Sequence, residues 1–259
     1  MRKRLLILLP LLCALALSCG DAGDPLNADA WFSEAQTAAV TGQIYRFDTT
    51  WSMLEGAEVS LLERPYTPTT VISDENGLFT FDGLAPDDEV TFLSRHPDFF
   101  PTQTATLRPG ARGLDDVTIQ QPPKVIVWAM ALFLLRPLDP NACQIAATVT
   151  EPGANPWSQG IEGVQVSIDP PLEPSQGPFY FKIIEIPGWP ILDLPLPWLT
   201  ETTGDGGLVY INVPPGEYVL TAHKEGMEFT PAHIKCRPGV LVNASPPYGL
   251  TLVENIQQQ

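Results

Sequence analysis

Three histidines, His96, His223 and His233, and four cysteines, Cys13, Cys19, Cys143 and Cys236, are the residues of this chain most able to do chemistry. The histidines stand in no HExxH spacing, no serine has a histidine and an acid in a hydrolase pattern, and no P-loop or CxxC occurs. Asp74-Glu75-Asn76-Gly77 begins like a calcium loop but lacks the later glutamate and the ligand spacing, so it reads as a hairpin turn built on Asn-Gly. A second concentration of chemistry is aromatic. Trp157, Phe179, Tyr180, Phe181, Trp189 and Trp198 lie in or beside a proline-rich stretch. Exposed, such side chains form a platform for sugars or partner proteins, and Phe179, Tyr180, Trp189 and Trp198 are its candidate members. Turned inward, they cover a core. No cofactor and no metal is expected from these patterns.

The N-terminus decides where any of this takes place. Met1-Arg2-Lys3-Arg4 precedes an apolar run, Leu5 to Leu17, and then Ser18-Cys19. That is the layout of a secretory signal peptide. Leu15-Ala16-Leu17-Ser18-Cys19 resembles the lipobox of bacterial lipoproteins, with Ala16 where leucine is commonest and Leu17 where a smaller residue is usual. The resemblance implies cleavage before Cys19 and acylation of its thiol; an ordinary signal cut nearby is the alternative. Residues 1–18 are then the signal and 19–37 a small, polar, acidic tether. The partner is the membrane, reached through an N-terminal lipid. Gly20 in place of aspartate gives no signal for inner-membrane retention, so in a cell with an outer membrane the protein is expected there, on its periplasmic or surface face. No other segment reaches the roughly 20 apolar residues a spanning helix needs; Val125 to Leu135 has eleven. Cys13 leaves with the signal and Cys19 carries lipid, so Cys143 and Cys236 remain. In an oxidising compartment two such cysteines pair, and two buried free thiols or half of a metal site are the alternatives.

Composition narrows the function further. Loss of residues 1–18 removes three basic residues and no acid, taking the net charge from −16 to −19. A chain so acidic is repelled by phosphate backbones, which excludes nucleic acid as a partner. The 28 prolines and 20 glycines cut long helices, while 44% hydrophobic residues are enough to bury cores.

One pattern occurs twice. Glu55-Gly56-Ala57-Glu58-Val59-Ser60 returns as Glu162-Gly163-Val164-Gln165-Val166-Ser167. The turn before Leu78-Phe79-Thr80-Phe81 returns as Gly204-Asp205-Gly206-Gly207 before Leu208-Val209-Tyr210-Ile211. Such short alternating runs bounded by Gly, Asp, Asn and Pro predict an all-β antiparallel sandwich, duplicated. At these residues, and at Pro215-Gly216-Glu217-Tyr218, the chain resembles the carboxypeptidase regulatory-like (transthyretin-like) β-sandwich family. The first copy departs from it at Asp87-Asp88-Glu89-Val90. The resemblance implies two tandem sandwiches, 38–121 and 143–256, the second carrying the insertion 169–197. Residues 122–142 read as a linker and an apolar brace, helix or strand, placed between the sandwiches. The function implied is non-catalytic: display, structure or adhesion, with a glycan or an envelope protein as partner.

An enzymatic alternative rests on a second resemblance. Gly177-Pro178-Phe179-Tyr180 and Pro231-Ala232-His233-Ile234 resemble segments of intradiol ring-cleaving dioxygenases, which hold ferric iron with two tyrosines and a His-x-His pair. Tyr210 or Tyr218 would stand for the tyrosines and His233 for the first histidine. The second position holds Lys235, a poor iron ligand, so His223 would have to substitute from another strand.

Overall fold

Alternate residues of a strand face opposite ways, so a half-buried strand hides every second side chain. β1 (Ala38–Arg46) buries Ala38, Val40, Gly42 and Ile44, and β8 (Cys143–Thr150) buries Cys143, Ile145, Ala147 and Val149. The computed structural model describes residues 37–47, 52–63, 70–185 and 192–253. The remaining strands of the first half are β2 (Glu58–Leu61), β3 (Thr70–Ile72), β4 (Leu78–Leu84), β5 (Phe92–Arg95), β6 (Thr102–Thr104) and β7 (Leu114–Gln121). After α1 (Lys124–Phe133) and β8 come β9 (Gln165–Asp169), β10 (Phe179–Ile184), β11 (Leu192–Leu196) and β12 (Gly207–Val213). β13 (Gly216–His223), β14 (Ala232–Cys236), β15 (Leu241–Ala244) and β16 (Leu250–Thr251) complete the order.

The repeat in sequence is a repeat in pairing. β1 pairs antiparallel with β4 and parallel with β7; β8 pairs antiparallel with β12 and parallel with β15. The facing sheets are β2-β5-β6 and β9-β13-β14, all antiparallel. The equivalence extends to single hydrogen bonds. Ser73 Oγ accepts from Ala57 N–H (3.0 Å) and donates to Leu54 O (2.8 Å), and Thr202 Oγ1 does the same with Val164 N–H (2.9 Å) and Ile161 O (2.6 Å). Gly77 O takes the Ile44 N–H at 2.9 Å and Gly206 O takes the Val149 N–H at 3.0 Å. Both glycines have positive φ, and a Cβ on either would lie 2.6 Å from the carbonyl oxygen of Ile44 or Val149. Only glycine fits there.

The Asn76-Gly77 turn is a corner and not the hairpin its residues suggest. β3 pairs with β2 while β4 crosses to β1 in the other sheet, because Gly77 is held against Ile44. The halves differ at one place. β3 extends the first beside β2, whereas the β10–β11 hairpin, drawn from the insertion, extends the second beside β12.

The two sandwiches are fused. β6 and β15 pair in parallel, Thr102 to Thr104 against Leu241 to Asn243, giving one sheet of order β11-β10-β12-β8-β15-β6-β5-β2-β3. Leu241 N–H donates to Pro101 O (2.9 Å) and Thr106 N–H to His233 O (2.8 Å) across the same seam. Each half thereby covers an edge of the other, removing a row of unpaired backbone groups. A single core cluster runs from Val40 to Leu250, and the chain from Gln36 onward is one compact unit.

The apolar run after Pro122-Pro123 is helical, and it does not lie between the sandwiches as the sequence suggests. The prolines turn the chain after β7, and Lys124 N–H donates to Asp98 O. α1 then packs Met130 and Leu134 on Phe179, Phe181, Val209 and Ile211, the outer face of β10 and β12.

Candidate functional site

Cys143 and Cys236 are joined in a disulfide, with Cα atoms 5.7 Å apart and a sequence separation of 93. β8 and β14 belong to opposite sheets, so the bond crosses the second sandwich. It is the first of several devices that tie this half together.

Tyrosines supply the next. Tyr180 and Tyr210 reach through the core to β9, where Tyr180 Oη accepts from Val166 N–H (2.9 Å) and Tyr210 Oη donates to Val166 O (3.3 Å). Burial pushes both phenols above their usual pKa, so both stay protonated. Tyr218 Oη donates to Pro214 O four residues upstream, a tyrosine-corner contact. The expected aromatic platform is corrected accordingly. Tyr180 is core, and Phe179, on the other face of β10, is roofed by α1. Trp198 is 71% exposed, and Trp157 packs edge-on against Tyr45 of the first half at 4.8 Å. Trp189 lies outside the described residues, as does Cys19.

Charge gathers at the seam between the halves. Glu63 accepts from Arg237 (2.7 Å) and from Thr91 N–H (2.7 Å). Glu89 is held by Lys235 at 2.6 Å and Arg108 at 3.0 Å, and those cations bring its carboxyl down to about 2. Asn243 Oδ1 accepts from Gln120 N–H, and Gln103 donates to Lys235 O. Lys235, read from sequence as a failed iron ligand, is therefore an ion-pair partner joining the halves.

The residues named for iron do not converge. On the sheet β9-β13-β14, Tyr218 points inward, while His223 and His233 are exposed on the outer face. Strand alternation places them on opposite sides, and Tyr210 is committed to Val166. His96 accepts from Asp98 N–H in a local turn (3.3 Å). Among the described residues no group of three or more His, Cys, Asp or Glu could hold a metal.

Two clusters were not foreseen. Ser167 Oγ and His223 Nε2 lie 2.8 Å apart, beside an open concavity that Glu201 and Lys224 also border. A hydroxyl–imidazole pair is the beginning of an activated nucleophile. Here it sits exposed on a sheet face with no carboxylate orienting the ring among the described residues, and its members lie 56 positions apart in sequence. The second cluster is a carboxyl pair. Asp205 Oδ2 accepts from Gly207 N–H, while Asp193 Oδ1 is buried with no hydrogen-bond partner among the described residues. Burial, then the charge of Asp205, raises Asp193 to about 7.

No protein-family model matches the chain, and no curated protein matches it in sequence. Among solved structures it is similar to the TIE protein of Bacillus anthracis, at 10% identity and a TM-score of 0.28, over 84% of this chain. The match takes in 34% of that protein, so this chain spans about a third of its length. It is also similar to GBS52, the minor pilin of the gram-positive pathogen Streptococcus agalactiae, at 10% identity, with 86% and 99% of the two chains covered and a TM-score of 0.27. The shaft pilin SpaA from Lactobacillus rhamnosus GG aligns at 11% identity over 85% of this chain and 99% of that one, with a TM-score of 0.24. At such scores the likeness carries no argument about function.

Proposed function

We propose that the protein is a lipid-anchored envelope protein whose two carboxypeptidase regulatory-like sandwiches act as one rigid, non-catalytic module for display or binding. The observation that supports this most is the main-chain seam of β6 on β15. It makes a stiff unit of two sandwiches that the sequence alone would leave as beads on a string. Of the side chains that the iron and calcium readings would need, Tyr210 clamps β9, Lys235 braces the seam with Arg237 beside it, and Asp74 Oδ1 accepts from the Asn76 and Leu78 N–H groups of its own turn. Among the described residues no helix is long and apolar enough to cross a membrane. The anchor in this reading is Cys19, and the partner is a glycan or an envelope protein.

Membrane fractionation tests the anchor. Wild type is expected in the membrane pellet, and Cys19→Ala is expected as an uncleaved or released form; unchanged fractionation of the variant sinks the lipid claim. Pull-down from native envelope distinguishes a binding module, which retains a ligand, from a spacer, which retains nothing. A tyrosinate-to-iron colour in the purified protein would contradict the non-catalytic assignment.

A further inference from the structure

α1 has two apolar faces, and the fold uses one of them. Val127 and Ala131 are buried, and Met130 and Leu134 cover β10 and β12. On the other side Val125, Trp128 and Leu132 are 68%, 60% and 73% exposed, and Leu135 just past the helix is 77% exposed. These positions recur at helical spacing and form one stripe along the axis. Leu135 is odd on a second count. It ends the helix at φ 54°, with its N–H on Leu132 O and the Arg136 N–H on Ala131 O. Glycine usually fills that left-handed position because a Cβ strains it. A strained and exposed leucine contributes nothing to the chain's own core.

The charge around the stripe is equally distinct. The chain has 30 acidic residues, yet none falls between Val117 and Leu138, and Lys124 and Arg136 bracket the helix. Backbone carbonyls fix both cations, Lys124 Nζ on Pro97 O at 2.5 Å and Arg136 Nε on Ser175 O at 3.0 Å. Neither has a carboxylate partner among the described residues.

We propose that the exposed face of α1 docks on a lipid bilayer, lying in the headgroup boundary with Trp128 at its centre and Lys124 and Arg136 towards the phosphates. Trp, Leu and Val on one face with flanking cations is the composition of an interfacial helix. A protein partner fits the surface less well. One convex helix of ten residues offers a narrow stripe and no pocket, whereas specific interfaces bury roughly 800 Å² per partner. A bilayer requires no matching pocket. The acidic remainder of the chain is repelled by anionic headgroups, so only this surface can approach, which also sets the orientation.

The docking does not depend on acylation of Cys19. Mature protein as isolated from cells is mixed with phosphatidylethanolamine vesicles containing phosphatidylglycerol and brominated acyl chains. Wild-type tryptophan emission is expected to shift to the blue and be quenched, and Trp128→Phe is expected to lose that quenched component. Leu132→Asp should lose the quenching with Trp128 still present. Leu135→Gly should weaken it while raising the melting temperature, since strain is relieved as apolar surface is lost. Emission that is the same in buffer and with vesicles overturns the proposal. So does a wild-type dimer that Leu132→Asp splits without any quenching, which would assign the stripe to a second copy. Fractionation of Cys19→Ala reads the anchor separately, so the two claims fail independently.

Discussion

Cys143→Ser together with Cys236→Ser is expected to lower the stability of the unit beginning at Gln36 by about 4 kcal/mol, since a cross-link over a loop of this length restricts the unfolded chain by about that much. The 93-residue separation sets that scale. The loss should move one cooperative transition and not half of it. Read from sequence, the bond belongs to the second sandwich alone and its reduction would leave the first untouched. The seam changes that expectation. Cys236 stands between Lys235, paired with Glu89, and Arg237, paired with Glu63, and both acids belong to the first half. Loosening β14 therefore loosens the braces on β2 and β5. Calorimetry with and without reductant checks this, and two separated transitions would contradict it.

Asp193→Asn is expected to stabilise the protein at pH 8 by about 2 kcal/mol and to leave it nearly unchanged at pH 4. The sign follows from the direction of the shift. Asp193 is raised to about 7 in the fold from an ordinary 3.8, by burial first and by Asp205 second. A raised acid favours folding below its unfolded pKa, and that contribution is lost as pH climbs from about 4 through 7. At pH 8 the native protein holds a buried charge beside a second carboxyl, and the amide removes it. Denaturant midpoints at the two pH values decide the matter. Equal pH slopes for wild type and Asp193→Asn would refute this account of the pair.

What was legible in the sequence was what repeats or alternates. Gly56 and Gly163, and Val59 and Val166, mark equivalent positions because the same backbone geometry demands them twice; the Gly-Leu opening β4 and β12 matches Gly77 with Gly207, whereas the structure gives the role of Gly77 to Gly206, one residue earlier. The seam was not legible. β6 is three residues, Thr102-Gln103-Thr104, all buried and all polar. No apolar alternation announces it, because its burial is supported by pairing on both sides and by the Gln103 contacts to Lys235 and Arg237. The aromatic insertion was half legible. Alternation separates Tyr180 from Phe179 and Phe181, but only the packing of α1 shows that the outward pair is roofed. α1 itself looked like a run that must hide, and one face of it does not. His223 and Ser167 meet only because β9 and β13 are neighbours, a pairing no local pattern encodes.

Two duplicated sandwiches that work as one rigid body have a signature in amide hydrogen exchange at the seam. The N–H groups of Ala105, Thr106 and Leu241 cross from one half to the other, bonded to Asn243 O, His233 O and Pro101 O. If the halves are fused, these amides exchange as slowly as those of Ile44 and Val149 in the two cores, opening only with global unfolding. Exchange at the rate of a free sheet edge, with both cores still protected, would show two independent domains and no rigid unit.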